Sequence, residues 1–344
     1  MRGLVFGLIA IALVIGYGVL GAGAVPLVLP AAAPTPTPTK PVSAVPAPQI
    51  AGTIAFALRG DVYVLRDGKY VSVTSDARST EPDLSEDGHT LLFVRSEAIN
   101  GKRDVDGQIT PAILRYTDII KKDPAGGAES IALTGLLVTS PSGFHSVAWN
   151  TGPAISPDAK RFAVTTDAVN GASDLEIFDI QTGKRSSLLS QGSFLADPSW
   201  SPDGKTIAVT SYTSGEPHIL LVPSDGRVAA PLAIKGTTGE AYRPSYSPDG
   251  VWITYTLRHD GRNDVHAVEV KTGADVALTS DGKSWNSVFS PDGKQLAFLR
   301  ESGGVIDLYV IDVAEALVGG PVRAAVKLTR GEGIDGDSRP AWGR

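Results

Sequence analysis

The chain has 344 residues, of which 42% are hydrophobic and 20% are charged, and its formal net charge is −6. That length is sufficient for one large domain with its own core, and the acidic balance argues against nucleic acid as a partner because phosphate binding needs a basic surface. The absence of cysteine excludes disulfides and thiolate metal sites.

The chain begins with an apolar segment at residues 4–29, which is longer than the ~20 residues that a helix needs to cross a bilayer. Arg2 precedes it and favours an N-terminus in the cytoplasm. A cleaved signal peptide is the main alternative, because residues 22–24 fit the small-x-small cleavage pattern, and a buried core helix is another. Residues 1–29 are therefore predicted to be a transmembrane anchor or a signal peptide. An anchor predicts a single-pass protein of the bacterial cytoplasmic membrane with an extracytoplasmic domain, and cleavage predicts a secreted one.

The next segment, residues 30–50, is rich in proline, alanine and threonine. Proline prevents helix formation and sheet pairing, and such runs favour extended polyproline II. At about 3.1 Å per residue, the segment would hold the following domain some tens of Å from the membrane. Residues 30–50 are therefore predicted to be a linker, and residues 51–344 the folded domain.

A four-residue motif recurs within the predicted domain. Its copies begin at Ser85, Ser156, Ser201, Ser247 and Ser290. The form Ser-Pro-Asp-Gly fits a tight turn, because proline suits the second turn position and glycine tolerates the left-handed one. An apolar strand follows each copy at once, and a similar strand at Ile54 lacks the turn. The motif therefore predicts a hairpin connection, and its aspartates are not catalytic candidates.

Further short strands follow each hairpin. Third strands are predicted at residues 62–65, 113–116, 175–178, 218–221, 265–268 and 308–311, and fourth strands at 71–74, 131–134, 276–279 and 326–329. Most turns recur at intervals close to the ~40–45 residues of a four-stranded blade. A longer interval after Ser85 predicts insertions at residues 100–107 and 121–127 and extra residues at 151–153. Four antiparallel strands per repeat predict an all-β, six-bladed β-propeller of four-stranded antiparallel blades.

The last residues of the chain look like an innermost strand that has no blade after it. Residues 338–343 match residues 196–201 and 242–247, which precede turns of the repeated motif. The first repeat lacks such a strand before Ile54. We therefore predict that the C-terminal strand completes the first blade and closes the ring, which removes an otherwise open edge.

Residues 197–205 read Asp-Pro-Ser-Trp-Ser-Pro-Asp-Gly-Lys, the clearest copy of the repeat. With the other copies, they resemble the PD40, or WD40-like, propellers typified by the C-terminal domain of TolB. The resemblance covers about residues 50 to 344 and implies the fold more strongly than a function, since one fold hosts many functions. TolB carries a folded α/β domain ahead of its propeller, whereas this chain has a predicted membrane span and spacer. A Tol–Pal role is therefore not implied.

Ligands of six-bladed propellers bind at the central channel and its mouths, which directs attention to residues just before the innermost strands. These are Glu81, Asp197, Arg243, Asn286 and Arg339, with His145 or its neighbour Ser146 as the equivalent residue of the third blade. Their mixed charges predict a ligand-binding ring. The alternative is a set of solvated or mutually paired channel charges.

The sequence contains few other signs of chemistry. No His-x-x-x-His spacing and no Gly-x-Ser-x-Gly elbow occurs. The acidic stretches 104–107 and 335–338 resemble parts of calcium loops but lack the distal bidentate glutamate, so ordinary turns are expected and bound Ca²⁺ is the alternative. No cofactor and no metal site are predicted.

These features predict a membrane-tethered, extracytoplasmic binding module that is not an enzyme. Its partner would be an envelope or membrane-complex protein, or a peptide or polymer ligand, and the N-terminal helix would hold it to the membrane. Two alternatives stay open. One is a hydrolase or lyase whose site is assembled from several blades at the channel, and the other is a structural subunit of a membrane complex.

Overall fold

The structure is a computed structural model that describes residues 50–167, 173–188, 194–213 and 215–344. The predicted anchor and nearly all of the predicted linker lie outside these residues. The described residues belong to one unit, Pro46–Arg344. Within them, no helix has the length and apolar character needed to span a membrane.

The described residues form 26 β-strands and one short 3₁₀ turn, Ala316–Val318. The first half contains β1 Thr53–Leu58, β2 Asp61–Arg66, β3 Lys69–Ser72, β4 Ser79–Leu84, β5 Leu91–Val105, β6 Gln108–Lys122, β7 Ser130–Leu133, β8 Leu136–Val138, β9 Ser146–Val147, β10 Trp149–Ile155, β11 Arg161–Asp167, β12 Asp174–Asp179 and β13 Arg185–Leu188. The second half contains β14 Leu195–Trp200, β15 Thr206–Ser211, β16 His218–Pro223, β17 Ala230–Pro231, β18 Glu240–Tyr246, β19 Trp252–His259, β20 Arg262–Glu269, β21 Asp275–Ala277, β22 Ser284–Phe289, β23 Gln295–Ser302, β24 Val305–Asp312, β25 Val326–Lys327 and β26 Ala341–Gly343.

Among the described residues, these strands form six four-stranded antiparallel sheets and the small pair β8–β9. We number the sheets from first to sixth by their place in the chain: β26-β1-β2-β3, β4-β5-β6-β7, β10-β11-β12-β13, β14-β15-β16-β17, β18-β19-β20-β21 and β22-β23-β24-β25. The first strand named in each is the innermost strand. The all-β class and the four-stranded antiparallel sheets are as predicted.

The repeated motif forms the turn between the first two strands of a sheet, as its residue types predict. In the fourth sheet, the Ser201 hydroxyl donates to Asp203 at 2.7 Å and accepts from the backbone N–H of Thr206 at 3.0 Å. This hydrogen bond to serine lowers the pKa of the Asp203 carboxyl. Ala159, which replaces the motif's glycine, adopts the left-handed conformation with φ 53°. The turn geometry is thus kept at a cost of about 1–2 kcal/mol.

The C-terminal strand pairs with the first strand of the described chain. Strand β26 lies antiparallel to β1, and Trp342 is directly opposite Ile54. The Trp342 indole N–H donates to the Ala51 carbonyl at 2.8 Å, and the N–H of Arg344 donates to the Glu86 carbonyl at 2.8 Å. The last residues therefore complete the sheet of the first repeat, as predicted.

The hydrophobic core lies between neighbouring sheets. Six buried clusters each join residues of two consecutive sheets, including one between the sixth sheet and the first. In that cluster Phe56 packs with Leu299 and Trp342. The innermost strands contact one another in the order β4, β10, β14, β18, β22 and β26, and β26 contacts β4.

The second sheet carries a long hairpin, formed by β5 and β6 with 15 residues each. Asp106 and Gly107 both have positive φ at its tip, which is the type I′ turn that suits the twist of a two-stranded ribbon. The predicted insertion at residues 100–107 is therefore an extension of two paired strands. The third strand predicted at residues 113–116 is confirmed but is only a small part of β6.

Candidate functional site

Five of the six innermost strands contain a β-bulge, and each bulge places one residue in the left-handed backbone conformation. These residues are Glu81, Gly152, Asp197, Arg243 and Asn286, with φ values of 49°, 59°, 54°, 54° and 57°. A non-glycine residue adopts this conformation only where its surroundings hold it, and bulges redirect side chains. The same backbone device thus positions four predicted site residues on four different sheets.

The prediction for the third sheet is wrong. Gly152, not His145, occupies the bulge, so this sheet contributes no side chain at that position. His145 lies in the segment between β8 and β9, where its Nδ1 accepts from the N–H of Ser140 at 3.3 Å. It packs beside Gly101 of the long hairpin. The extra residues predicted at 151–153 are this bulge.

Arg339, the sixth predicted residue, extends from the segment before β26 towards other sheets. Its Nη1 donates to the Pro244 carbonyl at 2.7 Å, and its Nη2 donates to the Pro198 carbonyl at 3.0 Å. These carbonyls follow the bulge residues of the fifth and fourth sheets. The guanidinium therefore joins three of the six innermost segments.

Arg243 is the centre of a second polar group. Its Nη1 donates to the Asn286 side-chain oxygen at 2.6 Å, and its Nε lies 3.7 Å from a carboxylate oxygen of Asp197. Its Nη2 lies 3.7 Å from the carboxylate of Asp337, which is fully exposed. The Gly336 carbonyl accepts from the Asn286 amide at 3.0 Å. Asp197, Arg243 and Asn286 are thus brought together, an arrangement that fits both the ligand-binding ring and its alternative of mutually paired channel charges.

The two acidic stretches use their carboxylates within the protein. The two oxygens of Asp335 accept from the N–H groups of Arg59 and Gly60, each at 2.9 Å. Asp104 accepts from the N–H of Gly107 at 2.8 Å, within the hairpin turn. In the part of the chain that the structure describes, no three His, Cys, Asp or Glu residues are grouped to hold a metal ion. Asp104 thus stabilises its own hairpin turn, whereas the Asp335 side chain joins its stretch to the distant turn at Arg59 and Gly60.

Strand β4 carries two carboxyl groups two residues apart in sequence, and only one of them was predicted. Glu81 accepts from the N–H of Gly152 at 2.6 Å, and Asp83 accepts from the N–H of Ile155 at 2.6 Å. Burial raises the pKa of Glu81, and it raises the pKa of Asp83 to about 6, although the nearby Arg339 acts in the opposite direction on both. At neutral pH the Asp83 carboxylate is therefore held in its charged form at a cost.

A cavity of about 180 Å³ lies among the innermost strands, and residues of all six sheets line it. They include Asp83, Ala154, Ser199, Ser245, Val288 and Trp342. The cavity is next to the repeated turns, whereas the bulges lie at the starts of the innermost strands. The bulges thus carry charged side chains, whereas the cavity at the turn side is lined by hydroxyls, proline rings, Asp83, Glu86 and Arg339.

We expect Asp83→Asn to stabilise the protein at neutral pH and to leave its stability unchanged in acid. The folded protein holds the Asp83 proton more tightly than the unfolded chain does, so stability falls as pH rises from about 4 to about 6. The substitution removes this titration. In urea unfolding, the variant should match wild type near pH 4 and exceed it by about 1–3 kcal/mol near pH 7.5.

Asp203→Asn provides the control of opposite sign. Its pKa is lowered by the hydrogen bond from Ser201, so the carboxylate contributes stability that is present at neutral pH and lost as pH falls. This variant should lose stability near pH 7.5. A difference between Asp83→Asn and wild type that does not change with pH would contradict the raised pKa.

Comparison with known proteins points to the same kind of fold. The PD40 family profile, described as the TolB beta propeller domain, matches residues 142–287. The Tol-Pal system protein TolB of Anaeromyxobacter dehalogenans (strain 2CP-C) is 35% identical over 111 residues, which are 32% of this chain and 25% of that protein. The uncharacterized peptidase YuxL of Bacillus subtilis (strain 168) is 28% identical over 228 residues, which are 66% of this chain and 30% of that protein. The crystal structure of TolB from Acinetobacter baumannii is 19% identical with a TM-score of 0.62, over 87% of this chain and 68% of that one.

Four-stranded antiparallel sheets whose innermost strands contact one another around a polar axis define a β-propeller. Within that class, residues 142–287 match the PD40 family described as the TolB beta propeller domain, and the chain is similar to TolB proteins, as its repeats predict. It spans only 25% of the length of the Anaeromyxobacter TolB that it matches.

Proposed function

We propose that the six sheets are the six blades of one ring closed by β26, and that the bulge-side mouth of its channel binds a protein of the cell envelope. Contacts between consecutive innermost strands, and between β26 and β4, support the ring. The N-terminal segment would tether the domain to the cytoplasmic membrane on its extracytoplasmic side. The similarity to a protein named for the Tol-Pal system supports an envelope location. The propeller would act by binding and not by catalysis.

One observation carries this proposal, namely the group of opposite charges held at the mouth by strained backbone. Asp197 and Arg243 adopt left-handed conformations that cost about 1–2 kcal/mol each. Their ion pair is nevertheless long, with 3.7 Å between the Arg243 Nε and a carboxylate oxygen of Asp197. Asp337 is fully exposed beside them. Charged groups that are fixed in place and still reach solvent suit the recognition of a complementary charged surface.

The position of residue 50 is consistent with such a tether. Ala51 lies against Trp342, and Arg344 lies against Glu86 in a turn of the repeated motif. The folded domain therefore begins on the turn side of the ring, which is opposite to the bulges. A tether attached there would leave the bulge-side mouth unobstructed.

Comparative capture from crosslinked membranes tests the proposal. We expect a partner that is recovered with wild type to be lost with Arg243→Glu, because the substitution reverses the charge at the mouth. Arg227→Glu is the matched control, since Arg227 lies in an exposed turn and pairs only with Asp225 among the described residues. Equal recovery with both variants would contradict binding at the mouth.

A second candidate, a hydrolase or lyase at the channel, is favoured by the similarity to YuxL. The histidines do not support it: the contacts of His145, His259 and His266 are to Ser140, Asp260 and Asp275, away from the bulges. Asp83 would then be the candidate acid. Turnover of a peptide substrate that disappears in Asp83→Asn would support this second function.

A further inference from the structure

The exposed apolar side chains of the described residues are unevenly distributed. Of the 16 large hydrophobic side chains that are exposed, eight lie between residues 105 and 149. These are Val105, Ile109, Ile113, Ile131, Leu137, Val138, Phe144 and Trp149. They lie on the outer part of the long hairpin and on the segment that follows it. Such concentrations of exposed apolar surface mark interaction sites.

We use the name ribbon for residues 96–117, the part of β5 and β6 that extends beyond the second sheet. Strand β4 pairs with β5 only as far as Arg95, so the ribbon has two strands. One of its faces is covered, because Leu114 is buried on it and the side chains of Leu114 and His145 lie against Gly101. The Gly143 carbonyl accepts from the N–H of Lys102 at 2.8 Å along the edge of β5. A two-stranded ribbon is marginally stable by itself, so a bare second face favours a partner.

The bare face has a definite pattern. Directly opposed pairs along it, from the root of the ribbon to its tip, are Ala98 with Arg115, Asn100 with Ile113, Lys102 with Pro111, and Asp104 with Ile109. Ile109 is 60% exposed and Ile113 is 62% exposed. Strand β6 thus presents an apolar stripe, and β5 presents a polar one. An arginine lies at the root and an aspartate at the tip.

We propose that this face packs against the same face of a second copy of the chain, with the two ribbons antiparallel. A half-turn about an axis across the ribbon, between the Ile113 and Pro111 levels, lays β6 on β6 of the other copy. Ile113 then meets Pro111, Ile109 meets the aliphatic part of the other copy's Arg115, and each Asp104 comes beside that arginine's guanidinium. A parallel arrangement would lay the polar stripe on the apolar one, which is unfavourable. The antiparallel face is therefore complementary to itself in both polarity and charge.

The structure also provides room for the partner's tip. A pocket of about 350 Å³ lies at the root of the ribbon, lined in part by Arg78, Glu97, Ala98 and Arg115. Glu97 is paired with Arg78 at 2.7 Å, which leaves Arg115 as the unpaired charge among these four. In the antiparallel arrangement, the acidic Asp106 turn of the second copy would enter this pocket next to Arg115. Both ends of the face are thus occupied in one arrangement.

The size of the face determines how strong the association can be. Ten residues per strand at about 3.3 Å each give a length of about 33 Å, and two strands are about 10 Å wide, so each copy offers roughly 330 Å². A standard interface buries about 800 Å² per partner. We therefore expect a weak dimer that depends on concentration.

Light scattering and sedimentation of the full-length chain in a non-ionic detergent test this association. Wild type should shift from monomer to dimer between about 1 and 200 μM. Ile113→Asp should raise the dissociation constant at least tenfold. Val228→Asp, at a side chain that is 93% exposed outside the ribbon, should leave it unchanged. The ribbon includes none of the channel residues, so this result is independent of binding at the mouth.

A charge exchange tests the antiparallel arrangement. Asp104→Arg and Arg115→Asp should each weaken the dimer, and the double variant should restore it. Unchanged thermal unfolding would show that each variant is folded. A monomer at all concentrations, or a dimer that tolerates Ile113→Asp, would overturn the proposal. A double variant as weak as the single ones would also overturn it.

Discussion

Deletion of residues 338–344 is expected to lower the melting temperature of the whole domain, and not only to destabilise the first sheet. The deletion removes β26, exposes the edge of β1 and takes the buried Trp342 from the cluster between the sixth and first sheets. Loss of a buried tryptophan alone costs about 3–5 kcal/mol, and domains are stable by only about 5–15 kcal/mol. Circular dichroism during heating would measure the effect.

A single substitution at the end of the same strand provides the control. Arg344→Ala removes an ion pair with Glu86 in which both side chains are exposed, so its cost should be below about 1 kcal/mol. The deletion and the substitution should therefore differ widely in melting temperature. A deletion variant that melts with wild type would show that the seam between β26 and β1 does not hold the fold together.

Arg339→Met is the second substitution with a large expected effect, and that effect should depend on pH. The variant loses the donors to the carbonyls of Pro198 and Pro244, at about 1.5–3 kcal/mol for a hydrogen bond from a charged group. It also removes the positive charge that favours ionised Glu81 and Asp83. We expect a loss of about 3–5 kcal/mol near pH 7.5 and a smaller loss near pH 5, where these carboxyls bind protons more readily.

Arg339→Lys distinguishes the contribution of the positive charge from that of the two guanidinium hydrogen bonds. Lysine keeps the positive charge but cannot reach both carbonyls with a planar fork, so its stability should be intermediate. Urea unfolding at the two pH values measures all three proteins. Equal losses for Arg339→Met at both pH values would show that the arginine does not interact with the two carboxyls.

Most of the fold could be predicted because each repeat contains residues that are specific for a tight turn. Proline and glycine in the repeated motif restrict the backbone so strongly that the hairpin can be located without any tertiary information. Closure by the C-terminal strand could also be predicted, since residues 338–343 repeat a pattern seen before two other turns. The structure pairs these residues with β1 as that pattern requires.

Other features depend on contacts between distant residues. The threonines at the ends of three predicted fourth strands are an example. Their hydroxyls donate to the aspartates immediately before the predicted third strands, in the pairs Thr74–Asp61, Thr279–Asp264 and Thr329–Asp307. The motif reveals neither this bond nor the burial of Asp83. The length of the ribbon was also missed, because its outer half lacks the strict alternation of a half-buried strand.

The error at His145 had an available signal. Glu81, Asp197, Arg243 and Arg339 are each followed by proline, and in the third repeat only Gly152 is followed by proline at the matching place. Proline spacing therefore locates this bulge better than the search for a polar side chain. His145 was chosen for its polar side chain, whereas the position of the bulge is set by backbone conformation.

The pairing of β26 with β1 also constrains when the protein can fold. The hydrogen bond between Trp342 and Ala51 joins residues that are 291 apart in the chain. Every other strand must be synthesised, and in the proposed location exported, before its last partner is present. Contacts of such long range slow folding, and the waiting edge of β1 could meanwhile pair with another chain. Refolding should therefore be slow, with a yield that falls as protein concentration increases.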